Sequence, residues 1–506
     1  MKNPEKIRLS QQQKEEKDWL KWGPYLSERQ WGTVREDYSA GGDAWNYFPH
    51  DHARSRTYRW GEDGLFGWSD RQCRLCISLA LWNGKDPILK ERLFGLNGDE
   101  GNHGEDVKEF YFYEAATPSH SYNRSSYIYP HDEFPYADLL ATNKERGRDQ
   151  PEYDLKDTGV LKNGWFEISV EYVKTSENET LIQYTIINQG NKSELHFVPQ
   201  IWFRNTWSWG RKSEEYSAKP QINYKDCDSI QTLHETLGAF YFSTIAPEKG
   251  NWIFTENETN KQKLFSGKNT HPVKDGFHDY LINKKQKAID TETGTKAGYH
   301  TKLSFGENET KILRFKLSNS SEKHSLEKFD QDIAAARSAY KKFYEEIIPL
   351  TLDKDHQNIV NQTYAGLLWT KQFYHYVVEE WLEGDPVHSA PPKSRLEGRN
   401  SDWQHLHNRD IISMPDKWEY PWYAAWDTAF HCVPLAMIDP EFAKDQLIIL
   451  TREWYMHPNG QIPAYEWAFG DVNPPVHAWA ALKVYETEKK HFGKSDVDFL
   501  KKIFQK

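Results

Sequence analysis

The hydrophobic pattern of this chain changes period once, near residue 325, and that change limits what it can fold into. Upstream, WFEISVEYV (165–173) sets Phe166, Ile168, Val170 and Tyr172 on one face. LIQYTII (181–187) does the same with Ile182, Tyr184 and Ile186, and TKILRFKLS (310–318) with Leu313, Phe315 and Leu317. Alternation with period two, interrupted by turn clusters such as TSENET and NQGNKSE, predicts antiparallel sheet. Strands spread from about 60 to 320 predict packed sheets in a sandwich rather than one small barrel. Downstream, HSLEKFDQDIAAARSAYKKFYEEII sets Phe329, Ile333, Ala336, Tyr340, Phe343 and Ile347 on one helical stripe, with Ser325 as a cap and Pro349 past its end. A second helix is read through NIVNQTYAGLLWTKQFYHYVVEEWLEG to Gly384, followed by a long loop at 385–418. Further helices are expected from Trp422 to Met437, from Asp439-Pro440 to Met456, from Asn473-Pro474, and from Asp496. The layout is β-rich first and all-α second. The expected units are 1–320, a β-sandwich with an N-terminal extension; 321–350, a linker helix; and 351–506, helical.

Composition narrows the ligand. The chain has 506 residues and a net charge of -11. Phosphate-backbone binding needs clustered Lys and Arg, so nucleic acid is not an expected partner. No stretch is apolar enough to span a membrane. The start, MKNPEKIRLSQQQKEEK, lacks the apolar core of a secretory signal, so the expected compartment is the cytoplasm, where the N-x-[ST] sequons at Asn178 and Asn257 are idle. Four cysteines are too few for a disulfide framework. Cys73 and Cys76 form a lone CxxC that reads as two buried thiols in a strand rather than a zinc site. The 21 Trp, 28 Tyr and 25 Phe are the informative excess. Ring faces stack on sugar C–H surfaces, while Asp, Glu, Asn, Gln and Arg bond hydroxyls. A large β core that uses aromatics accounts for the same numbers.

Two stretches concentrate rings and polar groups. YPWYAAWDTAFH (420–431) surrounds Asp427 with Trp422, Tyr423 and Trp426. An acid in a helix's first turn is favoured by free N–H groups and the dipole, so Asp427 reads either as that alone or as a pocket carboxylate with ring walls. GQIPAYEW and GDVNPP (460–475) offer Gln461, Tyr465, Trp467 and Asn473, the last also a plain N-cap candidate. Loops of successive helical hairpins converge on one end of a helical barrel. His50-Asp51-His52 lacks an identifiable third metal ligand. No P-loop, GxGxxG, GxSxG or HExxH is present, and no cofactor is expected.

Together, WGPYLSERQWGTVREDYS, FPHDHARSR, ERLFGLNGDEGNHGEDVKE, KWEYPWYAAWDTAFH and FGDVNPPVHAWAALKVYE resemble bacterial members of glycoside hydrolase family 63, which includes α-glucosidases and mannosylglycerate or glucosylglycerate hydrolases. The resemblance implies an N-terminal antiparallel β-sandwich followed by an (α/α)6 barrel, and inverting hydrolysis of an α-glycosidic bond. It implies that Asp427 and its neighbours line the sugar subsite, while the general acid and the base come later in the fold. LEGRNSD (396–402) resembles the acid segment but precedes WDTAF, the wrong order. By that resemblance both catalytic carboxylates lie beyond Lys506, and 351–506 is the first half of an incomplete (α/α)6 glycosidase barrel. The chain alone is then expected to be inactive, with the missing C-terminal half as a partner and an α-linked glucoside or glucosylglycerate-type sugar as ligand. The alternative is a non-catalytic carbohydrate-binding protein.

Overall fold

A computed structural model describes residues 3–31, 48–96, 106–146, 149–212, 216, 218–246, 248–398, 401–418, 424–462, 470 and 474–505. The period-two segments form two antiparallel sheets. One has six strands in the order Trp22–Gly23, Leu65–Asp70, Leu75–Trp82, Ser193–Phe203, Lys296–Phe305 and Gly250–Thr255. The other has nine, and its centre runs Gly238–Ile245, Thr310–Ser318, Glu179–Gly190, Gly164–Ser176, Tyr122–Pro130, with Tyr111–Ala116 at one edge. The alternating residues meet between the sheets. Trp68 stacks on Tyr172 at 4.4 Å, Tyr184 meets Phe197 edge-on at 5.2 Å, and Phe166 meets Phe305 at 5.4 Å. Large rings filling this interface account for much of the aromatic excess.

The N-terminal extension is tied to the sandwich rather than trailing from it. Helix α1 (Pro4–Gln13) starts at Asn3, whose side chain accepts from the Glu5 amide. Glu5 is fully buried and its carboxylate accepts from Ser119 N, Ser119 Oγ and Ser121 Oγ at 2.8–2.9 Å. Beneath the extension, Lys174 donates to the carbonyls of Trp19 and Trp22. Burial lowers its pKa to about 7, against the pull of Glu5 and Asp18. Between about 7 and the ordinary lysine value of 10.5 the unfolded chain therefore binds one more proton at this site than the folded one. This group makes stability rise with pH over that window. Urea midpoints at about pH 6.5 and about pH 9 are expected to diverge less in Lys174→Met than in the wild type.

The period change marks helix α2 (Leu326–Glu345). Ser325 caps it through the Lys328 amide, and Phe329, Ile333, Ala336 and Phe343 are buried. Helix α3 (Lys354–Trp369) packs on the edge strand Tyr111–Ala116. Its last residue, Trp369, is fully buried, donates its indole N–H to Ala115 O at 3.1 Å, and stacks on Tyr113 at 5.1 Å.

Here the structure departs from the sequence reading. The expected helix through Gly384 stops at Trp369. Lys371–Val377 is a strand, buried along its whole length and paired antiparallel with His407–Ser413, inside the stretch read as loop. The apolar spacing of QFYHYVV fits a helix, but tertiary pairing and the Lys371–Asp439 ion pair (2.9 Å) hold it extended. Helix α4 (Val378–Glu383) then ends at Gly384, whose φ of 76° suits glycine.

Helices α5 (Ala425–Leu435), α6 (Pro440–Ile449), α7 (Val476–Phe492) and α8 (Val497–Phe504) complete the described chain. Asp439 and Asp496 cap as expected, accepting from Phe442 N and Phe499 N. Helix α6 ends well before Met456 because the following residues fold onto the ribbon, Tyr455 bonding Asp410 at 2.9 Å. Helix α7 begins at Val476 with Pro475 in the cap position, two residues later than the Asn473-Pro474 signal. The C-terminal part is thus helices plus a β-ribbon, not all-α.

Candidate functional site

Lys417 and Trp418, upstream of α5, are fixed from the sandwich. Glu28, from the dense stretch GPYLSERQW, is fully buried. It accepts from Tyr111 Oη at 3.2 Å, Tyr113 Oη at 2.7 Å and Trp418 Nε1 at 2.8 Å, with Lys417 Nζ at 3.5 Å. Ser27 and Arg29 donate to the main-chain carbonyls of Lys417 and Trp418. Lys417 also donates to Trp369 O, and burial lowers its pKa. Removing the charge by Glu28→Gln leaves Lys417 buried without its anion and is expected to cost about 2 kcal/mol in urea unfolding.

Asp427 lies in the first turn of α5, which Ala424 opens without a side-chain cap. It is about half buried, and loss of hydration raises its pKa while its own backbone N–H opposes the rise. Among the described residues no cation pairs with it. One turn on, His431 Nδ1 lies 3.0 Å from Ser413 Oγ, which docks the helix on the ribbon. Trp426 is 37% exposed, and its ring meets Phe430 at 6.1 Å, which meets Trp479 of α7 at 5.8 Å. An acid with no counter-ion among the described residues, on the same helix as the exposed rings of Trp426 and Phe430, can accept hydroxyl hydrogen bonds while the rings take an apolar face.

Trp426 and Asp427 both lie in the first turn of α5. Gln461 sits in a turn after α6, its amide N–H donating to Asn459 Oδ1 and its carbonyl accepting from His457 N. Trp422, Tyr423, Tyr465, Trp467 and Asn473 lie outside the described residues.

The metal candidates resolve into packing. His50 is half buried against the rings of Trp31, Phe94 and Tyr136, and loss of hydration lowers its pKa far below the usual value. Asp51 pairs with Arg54 and Lys263. Glu441, Glu488 and Asp496 converge closely enough for an ion, but the Lys444 ammonium occupies their centre at 2.8–3.1 Å. Cys76 lies in a strand and Cys73 in the turn before it, with φ 48°, so the two thiols do not share a strand. Both are buried and free.

A feature the sequence reading missed lies at the seam between sandwich loops and α4. It is a cavity of about 810 Å³, walled by Trp60, Trp209 and Trp381 among others. Arg59 ties the seam, bonding Glu380 at 2.7 Å and Asp385 at 3.1 Å. The density of charge in FPHDHARSRTYRWGEDG hinted at such networks, and IWFRNTWSW carried the aromatic signal.

Comparison with known proteins bears on the helical end. Residues 420–506 match the family model of the Mannosylglycerate hydrolase MGH1-like glycoside hydrolase domain. The C-terminal segment is glycoside-hydrolase-like. The match covers the Asp427 helix and supports that class without singling out family 63. The chain is also 45% identical over 552 residues to Uncharacterized protein YMR196W of Saccharomyces cerevisiae. The alignment takes in 99% of this chain and 50% of that protein, so the chain spans about half the length of this relative. Among solved structures, a putative kojibiose phosphorylase from the human microbiome aligns at 8% identity, over 88% of this chain and 52% of its own, with a TM-score of 0.25. The family GH92 alpha-mannosidase BT3965 of Bacteroides thetaiotaomicron aligns at 9% identity, over 67% and 50%, with a TM-score of 0.22. Superpositions this loose carry no argument. Among the described residues no helix is long and apolar enough to cross a membrane.

Proposed function

We propose that this chain contributes the sugar-binding portion of an inverting α-glucosidase of family 63 type, with its acid and base supplied by polypeptide outside these 506 residues. The observation that carries the reading is Asp427, half buried and without a cation partner among the described residues, beside the exposed Trp426–Phe430–Trp479 strip. Inversion needs two carboxyls about 6.5–9.5 Å apart, one to protonate the leaving oxygen and one to activate water. Asp427 is read as a hydroxyl acceptor at the sugar, not as either of these.

Two further observations support an incomplete barrel. The curated relative is about twice the length of this chain. The outer faces of α5, α7 and α8 expose Phe430, Trp479, Leu482, Phe492 and Phe504. A soluble monomer seldom leaves such large side chains together in water. The partner that would cover them is the second half of the barrel, and an α-linked glucoside or glucosylglycerate-type sugar is the proposed ligand. Incubation of the chain with an α-glucoside tests this reading: no turnover is expected from the chain alone. Saccharide binding without turnover even after the remaining half is supplied would favour the second reading, a non-catalytic carbohydrate-binding protein.

A further inference from the structure

The cavity at the seam has its own lining and its own chemistry. Its walls come from the sandwich loops around residues 56–60, 208–209 and 258–267, and from 380–395. None of its lining comes from α5 to α8. Its volume of about 810 Å³ falls within the range of small-molecule sites, about 300–1,000 Å³.

The carboxylates on the wall are already engaged. Glu380 and Asp385 bond Arg59, and Arg211 bonds Asp385 at 3.1 Å. Glu258 accepts from Lys219, from Trp207 Nε1 and from His271, each at 2.9 Å. A bare cation would find no free carboxylate among these three. The arginines lie against rings: Arg59 over Trp60 at 4.3 Å and Trp209 at 5.1 Å, and Arg395 over Trp381 at 3.7 Å. Guanidinium edges held this way present donors in fixed directions, and bonded carboxylates still offer lone pairs. Ring faces, fixed donors and fixed acceptors, with the wall's carboxylates compensated inside the protein, suit a ligand that is neutral and rich in hydroxyls.

We infer that this seam is a second binding site, taking a neutral saccharide of two or three sugar units. It goes beyond the reading of Asp427 and does not depend on it, since the two sites share no lining residue among those described.

Isothermal titration of the whole chain with maltotriose tests the inference. The wild type is expected to bind. Trp209, half buried and bonded to Asn205 O through its indole N–H, supplies an accessible ring. Trp209→Ala is expected to weaken binding at least about tenfold. Trp209→Phe keeps a ring face and is expected to stay within about threefold of the wild type, which separates a lost contact from a lost fold. Asp427→Asn removes the other proposed saccharide site, so maltotriose binding that persists in this variant and is lost when Trp209→Ala is added belongs to the seam. No maltotriose binding in the wild type, equal binding in Trp209→Ala, or preference for glucose 1-phosphate over maltotriose would each overturn the assignment.

Discussion

Replacing Trp369 with Ala is expected to destabilise the protein by about 3–5 kcal/mol, read as a shift of the urea midpoint. The residue joins three parts of the molecule. Its ring fills a fully buried site and stacks on Tyr113 of the edge strand, and its indole N–H satisfies Ala115 O. Its own carbonyl accepts from Lys417, whose ammonium faces Glu28. Truncation leaves a cavity and an unpaired carbonyl together, and the cost of a large-to-small change grows with the space that cannot collapse. The same change loosens the 417–418 segment that leads into α5, so saccharide binding at Asp427 should weaken with it. A loss below about 1 kcal/mol would mean that the α3 end is not an anchor between sheet and helices.

Asp427→Asn is expected to act in the opposite sense on stability and on binding. A hydrogen bond to a charged group contributes about 1.5–3 kcal/mol, so saccharide affinity at this site should fall about 10- to 100-fold. Stability should not fall. Burial raises the Asp427 pKa above 3.8, so the folded protein holds this proton more tightly than the unfolded chain. The stability contributed by the protonated form is fully present below 3.8 and is lost as pH rises through the raised pKa, so ionisation works against the fold. Asn cannot ionise and should be equal or better at neutral pH. Affinity of the wild type should likewise fall on acidification, through a pKa above the ordinary aspartate value, because the neutral acid is a poorer acceptor. A variant less stable by more than about 1 kcal/mol that binds saccharide as tightly as the wild type would make Asp427 a structural acid.

Much of the fold was legible because single segments carry it. The alternation of Phe166, Ile168, Val170 and Tyr172 needs no knowledge of the rest of the chain, and Ser325, Asp439 and Asp496 each cap through an amide three residues on. The ribbon Lys371–Val377 was not legible. Its pairing with His407–Ser413 and its anchor at Asp439 are distant in sequence, and local spacing favoured a helix. The site divides the same way. Trp426 and Asp427 are neighbours in sequence and share one helical turn. The seam cavity joins Trp60, Trp209 and Trp381 from three separate segments, which only tertiary structure assembles.

The central claim is that the sugar site here is partial, with the proton donor and the water-activating base held on other polypeptide. Proton NMR of an α-glucoside incubated with the chain, following the anomeric signals of released sugar, tests it most directly. The account predicts no release by the chain alone. With the remaining half of the barrel supplied, it predicts release of the β-anomer first. Release by the 506-residue chain alone, at rates ordinary for a glycosidase, would contradict it.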